Sequence, residues 1–159
     1  MKAFRRVGEA VSAKFEPAEA DALATMAGQV AALVADRAEY ESDPAVLRLL
    51  PDAYPDDEEA SAEFRRFTAD DLAARKVANA TAVVRSLEGA VHARSATTVT
   101  LDQQAAQAWL RALTDIRLTI AARLGIDDDE AEPAGDPLLL DVYDWLGFVQ
   151  ESLVAAVSD

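Results

Sequence analysis

The chain has 159 residues, of which 51% are hydrophobic and 6% aromatic, with no cysteine and a formal net charge of -14. That length suits one domain over 1–159 with a sizeable core, and an alanine-rich, aromatic-poor composition favours close-packed helices over a β-sandwich. The missing cysteine excludes disulfides, thiolate metal sites and thiol chemistry within the chain.

In chain order, Phe4-Arg-Arg-Val7 and Ala10 to Phe15 are short extended runs around Gly8-Glu9, which predicts a hairpin. Pro17 suits a first helical turn, with Glu19 near its positive end. Leu23, Met26, Ala27, Val30, Leu33 and Val34 recur at helical spacing, so a long helix is expected to run to about Tyr40. Asp43-Pro44 starts a short helix with Val46, Leu47 and Leu50, which Pro51 ends. Tyr54-Pro55 marks a turn, because the residue before proline avoids the helical region. A helix from about Asp56 to Phe67 follows, and Thr68, with Asp71 three residues on, predicts the start of another. Its inner stripe would be Leu72, Ala80, Val83, Val84, Leu87 and Val91.

Thr97-Thr-Val-Thr-Leu101 is β-branched and reads as a third strand, at least over 98–101. Asp102 caps a central helix from Gln103 to Leu124, and Gly125 ends it. Asp136-Pro137 starts the last helix, whose inner face would carry Val142, Leu146, Val149, Leu153 and Val157. The expected fold is mostly α: a single-domain helical bundle of about five or six helices, with a small antiparallel β element from the N-terminal hairpin and residues 98–101.

The negative charge is concentrated. Residues 52–63 and 127–136 hold six acids each and no Lys or Arg; without them 17 acids face 15 bases. Such segments steer basic partners inward at low salt, and they oppose direct DNA binding without a partner. Residues 127–136 lack the alternating oxygen ligands and central glycine of a calcium loop. One histidine, His92, and no cysteine argue against zinc, and there is no glycine-rich phosphate loop or serine nucleophile motif. No catalytic residue, metal or cofactor is therefore assigned.

The central helix carries most of the information. Ala105, Trp109, Leu113, Ile116, Ile120 and Leu124 form one stripe, while Leu110, Leu118 and Ala121 fall outside it. A helix apolar on several sides is central in a fold, and charges within it need partners. Arg111 and Asp115 are four apart and are expected to pair locally. Arg117, on the margin of the apolar surface, should reach a carboxylate from another element, with Asp57, Glu63, Asp144 and Glu151 as the candidates. This predicts a polar cluster that either staples helices or binds a ligand. Tyr54, Arg65 and Arg66 join it as candidates, Tyr54 as a lid or a partner contact.

Three blocks, Pro51 to Arg66, Trp109 to Leu118 and Val142 to Glu151, resemble in order and spacing the actinobacterial oxidative-stress transcriptional regulator family called AosR, formerly catalogued as a domain of unknown function. The resemblance covers nearly the whole chain. It implies an intracellular regulator that works with an alternative sigma factor to raise expression of sulfur-metabolism and antioxidant genes, with cysteine oxidation as its signal. This chain departs from that pattern, since it has no cysteine, and no redox residue is carried over.

The leading expectation is a regulatory protein-interaction module rather than an enzyme, meeting a sigma factor or RNA polymerase through acidic segment 52–63 or 127–136. A second reading is an enzyme or small-anion-binding protein with Arg65, Arg66, Arg111 and Arg117 around one cleft. A third is a homodimer built on apolar faces of the first or last helix. With no apolar run approaching about 18 residues and no signal peptide behind Arg5 and Arg6, no membrane association and a cytoplasmic location are expected.

Overall fold

A computed structural model describes residues 1–50, 58–126 and 136–159. Three strands, β1 (Arg5–Val7), β2 (Ala10–Phe15) and β3 (Thr97–Leu101), form an antiparallel sheet in that spatial order. Five α-helices accompany them: α1 (Pro17–Ala35), α2 (Pro44–Leu49), α3 (Glu58–Val91), α4 (Gln103–Leu124) and α5 (Pro137–Ser158). The mostly α architecture with a small N-terminal sheet is as the sequence predicts.

Local chemistry sets most of the boundaries. Gly8 turns the β1–β2 hairpin at φ 65°, a conformation that costs glycine little. Val11, Ala13 and Phe15 alternate inward on β2, opposite Leu101, Val99 and Thr97 of β3. The backbone N–H of Glu16 donates to the Glu19 carboxylate at 2.8 Å, closing the start of α1. Asp43, Asp102 and Asp136 each accept a backbone N–H from the first turns of α2, α4 and α5. At the end of α4, Gly125 is left-handed at φ 71°, and Ile126 N–H donates back to Ala121 at 2.9 Å.

Two boundaries differ from expectation. The first helix ends at Ala35, and a tight 3-10 turn over Arg37–Tyr40 follows. There the Arg37 guanidinium donates to the Val34 carbonyl at 3.2 Å and also pairs with Asp70 on α3, so the last turn is capped from a neighbour. No new helix starts at Thr68: α3 runs unbroken through it. No proline or glycine lies between Glu58 and Glu88 to interrupt the backbone ladder, and a threonine alone does not end a helix.

The core is continuous through the sheet and the helices that pack on it. At the sheet end, Phe4, Phe15 and Trp109 meet with ring centroids 5.7–6.1 Å apart, two of the three pairs edge to face. Trp109 is fully buried, and its indole N–H donates to Ser86 Oγ at 3.1 Å. Ser86 in turn donates to the Ala82 carbonyl at 2.7 Å, so no polar atom of that contact is stranded.

Helix α4 lies at the centre: α1, α2, α3 and α5 all pack on it, and α1 also packs along α3. Helix α5 rests on α4 and on β1 and β2. The sheet end collects the starts of α1 and α4 and the ends of α3 and α5, where Arg6 donates to the Val157 carbonyl at 3.2 Å. The opposite end therefore collects the ends of α1 and α4 and the starts of α3 and α5.

Candidate functional site

Because α5 leans on α4 without closing against α1 or α3, two grooves flank it. The groove between α3 and α5 is a cleft of about 630 Å³ with α4 as its floor. Its apolar walls are Leu72 of α3, Leu110 of α4 and Val154 of α5. At its floor Lys76 Nζ donates to Asp115 Oδ1 at 2.6 Å, with only 16% and 6% of the two side chains exposed. Burial pushes the Asp115 carboxyl above its ordinary range, against the pull of the Lys76 ammonium. Thr114 and Gln150 continue the polar floor toward α5, while Arg75 and Arg111 are exposed at the rim.

The expected local Arg111–Asp115 pair does not form. Asp115 points inward to α3, whereas Arg111, one turn earlier, is exposed and has neither ion pair nor hydrogen bond among the described residues. Spacing of four places two side chains near one face, but the margin of the buried stripe falls between these two. Asp115 satisfies its charge across the helix interface, where water is excluded and a partner is required.

The expected carboxylate for Arg117 is also absent among the described residues. Its Nη1 donates to Gln150 Oε1 at 3.0 Å, and its guanidinium carbon stands 4.8 Å from the ring centroid of Tyr143. Gly147 leaves room beside it, since a Cβ there would lie 3.4 Å from Nη2. The Nε atom is buried without a partner. A neutral amide plus an aromatic face thus holds the cation, and the uncompensated N–H costs on the order of 1–3 kcal/mol. Gln150 is fixed from both sides: its Nε2 donates to Thr114 Oγ1 at 2.7 Å and to the Leu110 carbonyl at 3.4 Å. The chain Arg117, Gln150, Thr114 therefore stitches α5 to α4 along the edge of the cleft.

Of the remaining predicted site residues, Asp144 and Glu151 are exposed on α5 and make no contact with Arg117, and Glu63 is exposed on α3. Arg66 is exposed on the first part of α3, away from the cleft lining. Tyr54, Asp57 and the Arg65 side chain lie outside the described residues, as do the Tyr54-Pro55 turn and most of acidic segment 127–136. Of the described arginines expected around one cleft, Arg66, Arg111 and Arg117, Arg111 alone lines it. His92 is exposed just past the end of α3, and no group of three His, Cys, Asp or Glu among the described residues is placed to hold a metal.

A family profile described as a domain of unknown function (DUF2017) matches residues 1–157. The chain belongs to that family. It is also 35% identical over 148 residues to a Mycobacterium leprae (strain TN) protein named "Putative oxidative stress regulator AosR", with 80% of this chain and 64% of that protein covered. The chain thus spans under two thirds of the length of the curated relative it matches. No solved structure matches it. Among the described residues no helix is long and apolar enough to cross a membrane.

Within this DUF2017 chain, Lys76 is the site residue that sequence reasoning missed, although a signal for it exists. Ala73, Lys76, Ala80, Val83, Leu87 and Ala90 recur at alternating steps of three and four, and every member but the lysine is buried apolar. One polar residue on such a stripe marks a position where a charge must be met from the facing helix. The lysine stem lies along apolar surface while its head reaches Asp115.

The second groove, between α1 and α5, contrasts with the first. It measures about 310 Å³ and is walled by Met26, Val30, Leu33, Ile116, Ile120 and Leu139. At its end Arg123 makes a two-point contact to Asp43, at 2.7 and 2.9 Å. The hydrogen bonds from Arg123 hold the Asp43 carboxyl below its ordinary range.

Proposed function

We propose that the protein is a regulatory protein-interaction module of oxidative-stress gene expression, acting through contact with a basic partner such as an alternative sigma factor. The observation that carries this reading is the 35% identity, over 80% of the chain, to a protein named as an oxidative-stress regulator. Charge placement supports it. Acidic segment 52–63 runs into α3 and includes its first residues, and segment 127–136 joins the end of α4 to the start of α5. The described residues at those junctions, Glu58, Ile126 and Asp136, all belong to the bundle end remote from the sheet. Each block of six acids thus adjoins that end in sequence, and opposite charge of this density favours a basic partner. With no cysteine the chain holds no thiol switch, so a redox input is either absent or reaches the protein through a partner.

The test is capture of purified sigma factors and RNA polymerase by the full chain over a salt series. Binding should be tight at low salt and weaken steeply as ionic strength rises. Neutralising four of the six acids of one block with Asp56→Asn, Asp57→Asn, Glu58→Gln and Glu59→Gln should weaken binding at low salt. No capture of any sigma factor or polymerase subunit at low salt overturns the reading.

A further inference from the structure

We infer that the cleft between α3 and α5 is a binding site for a small organic anion, a carboxylate carried on a short hydrocarbon body. The inference goes beyond the proposed partner contact and uses a different surface. The cleft volume, about 630 Å³, falls within the range of small-molecule sites, roughly 300–1,000 Å³. Its composition is also of that kind: apolar walls from three helices with a few convergent polar groups.

Charge decides the ligand class. Lys76 and Asp115 satisfy each other, so the floor offers dipoles and little net charge. Among the described residues Arg75 pairs with Asp71 on its own helix, at 3.2 Å with both side chains about two-thirds exposed. Arg111 has no carboxylate partner among the described residues. The rim is therefore cationic in a chain whose net charge is -14, and the unpaired guanidinium offers the planar fork that suits a carboxylate. Leu72, Leu110 and Val154 would cover the hydrocarbon body, and Thr114 and Gln150 are already oriented by each other along the edge. A bare inorganic anion would leave those walls wet, and a neutral hydrocarbon would leave the guanidinium unused.

The experiment is an amide NMR titration of the full chain with sodium hexanoate, run beside acetate and hexanol. Hexanoate should give saturable shifts confined to 72–79 of α3, 110–115 of α4 and 150–154 of α5. Acetate and hexanol should each bind about tenfold more weakly, because each lacks one half of the recognition. Arg111→Gln should weaken hexanoate about tenfold and leave hexanol unchanged. Val154→Glu, another exposed position, should abolish hexanoate binding by placing a carboxylate in the cleft. Shifts that do not saturate, that spread beyond these three stretches, or that persist unchanged in both variants overturn the inference. Sigma-factor capture and this titration read different surfaces, so either one can fail alone.

Discussion

The two grooves beside α5 share a helix on each side, α4 and α5, and differ in what α4 presents to them. Asp115 faces the α3 side and Ile116, its neighbour in sequence, the α1 side. On the α3 side a buried acid is matched by a lysine on the facing helix; on the α1 side isoleucine meets valine, leucine and methionine. One residue of helical rotation separates a cleft that must satisfy charge from a groove that need only exclude water. The polar side holds a matched buried ion pair, while the apolar side is walled by packed apolar side chains.

The contrast can be broken most severely at Lys76. Lys76→Met leaves the Asp115 carboxylate without its partner and should cost about 3–5 kcal/mol in urea denaturation. The double variant Lys76→Met with Asp115→Leu should recover most of that loss, since well-packed apolar groups replace a buried pair at little cost. The pH dependence has a definite sign. Burial raises the Asp115 pKa, so its contribution to stability is full below its unfolded value, about pH 4, and is lost as pH rises through the folded one. Removing the lysine raises that pKa further, so Lys76→Met should be closest to wild type in acid and furthest from it at neutral pH. A penalty equal at both pH values would refute the assignment.

Across α4, Ile116→Ala should cost about 2–5 kcal/mol by leaving a cavity between α1 and α4. No titrating group contributes, so the loss measured at acid and neutral pH should agree within error. A strong pH dependence would mean that the two sides of α4 are coupled.

A smaller effect is expected at the stitch between α4 and α5. Gln150→Leu removes the acceptor for Arg117 and the donor to Thr114, at about 1–3 kcal/mol. In a double-mutant cycle with Arg117→Leu, the second change should add little once the first is made. Full additivity would show that Gln150 does not hold the arginine.

The smallest effect belongs to the ion pair at the end of the apolar groove. Asp43→Asn keeps the helix cap and loses the charge, so it should cost at most about 1 kcal/mol at neutral pH. Arg123 lowers the Asp43 pKa, so this contribution is present above the unfolded value and lost as pH falls through the folded one. The two proteins should converge in acid, and a difference that survives there would place the role of Asp43 in the cap instead.

Much of this fold is legible along the chain because its signals are local. Asp102 and Gly125 bracket α4, Pro17, Pro44 and Pro137 open three helices, and Gly8 turns the hairpin. Each acts within a few residues of itself. The α3 boundary was misleading for the same reason: Thr68 with Asp71 resembles a helix start, yet nothing nearby stops the helix that already passes through it. The central placement of α4 also follows from its wide apolar surface, and Trp109 in the core follows with it. The polar cluster was expected in the right helix, but its partners were not.

Sequence by itself determined the element types, the central helix and the concentration of acid in two segments, because periodicity, capping chemistry and charge are written in neighbouring residues. Only the tertiary structure decided which charges meet. Lys76 and Asp115 are 39 residues apart, and Arg117 and Gln150 are 33 apart. Their pairing depends on how α3 and α5 are rotated against α4. That rotation is set by burying the apolar stripes, and the polar residues take the partners that the packed helices bring to them.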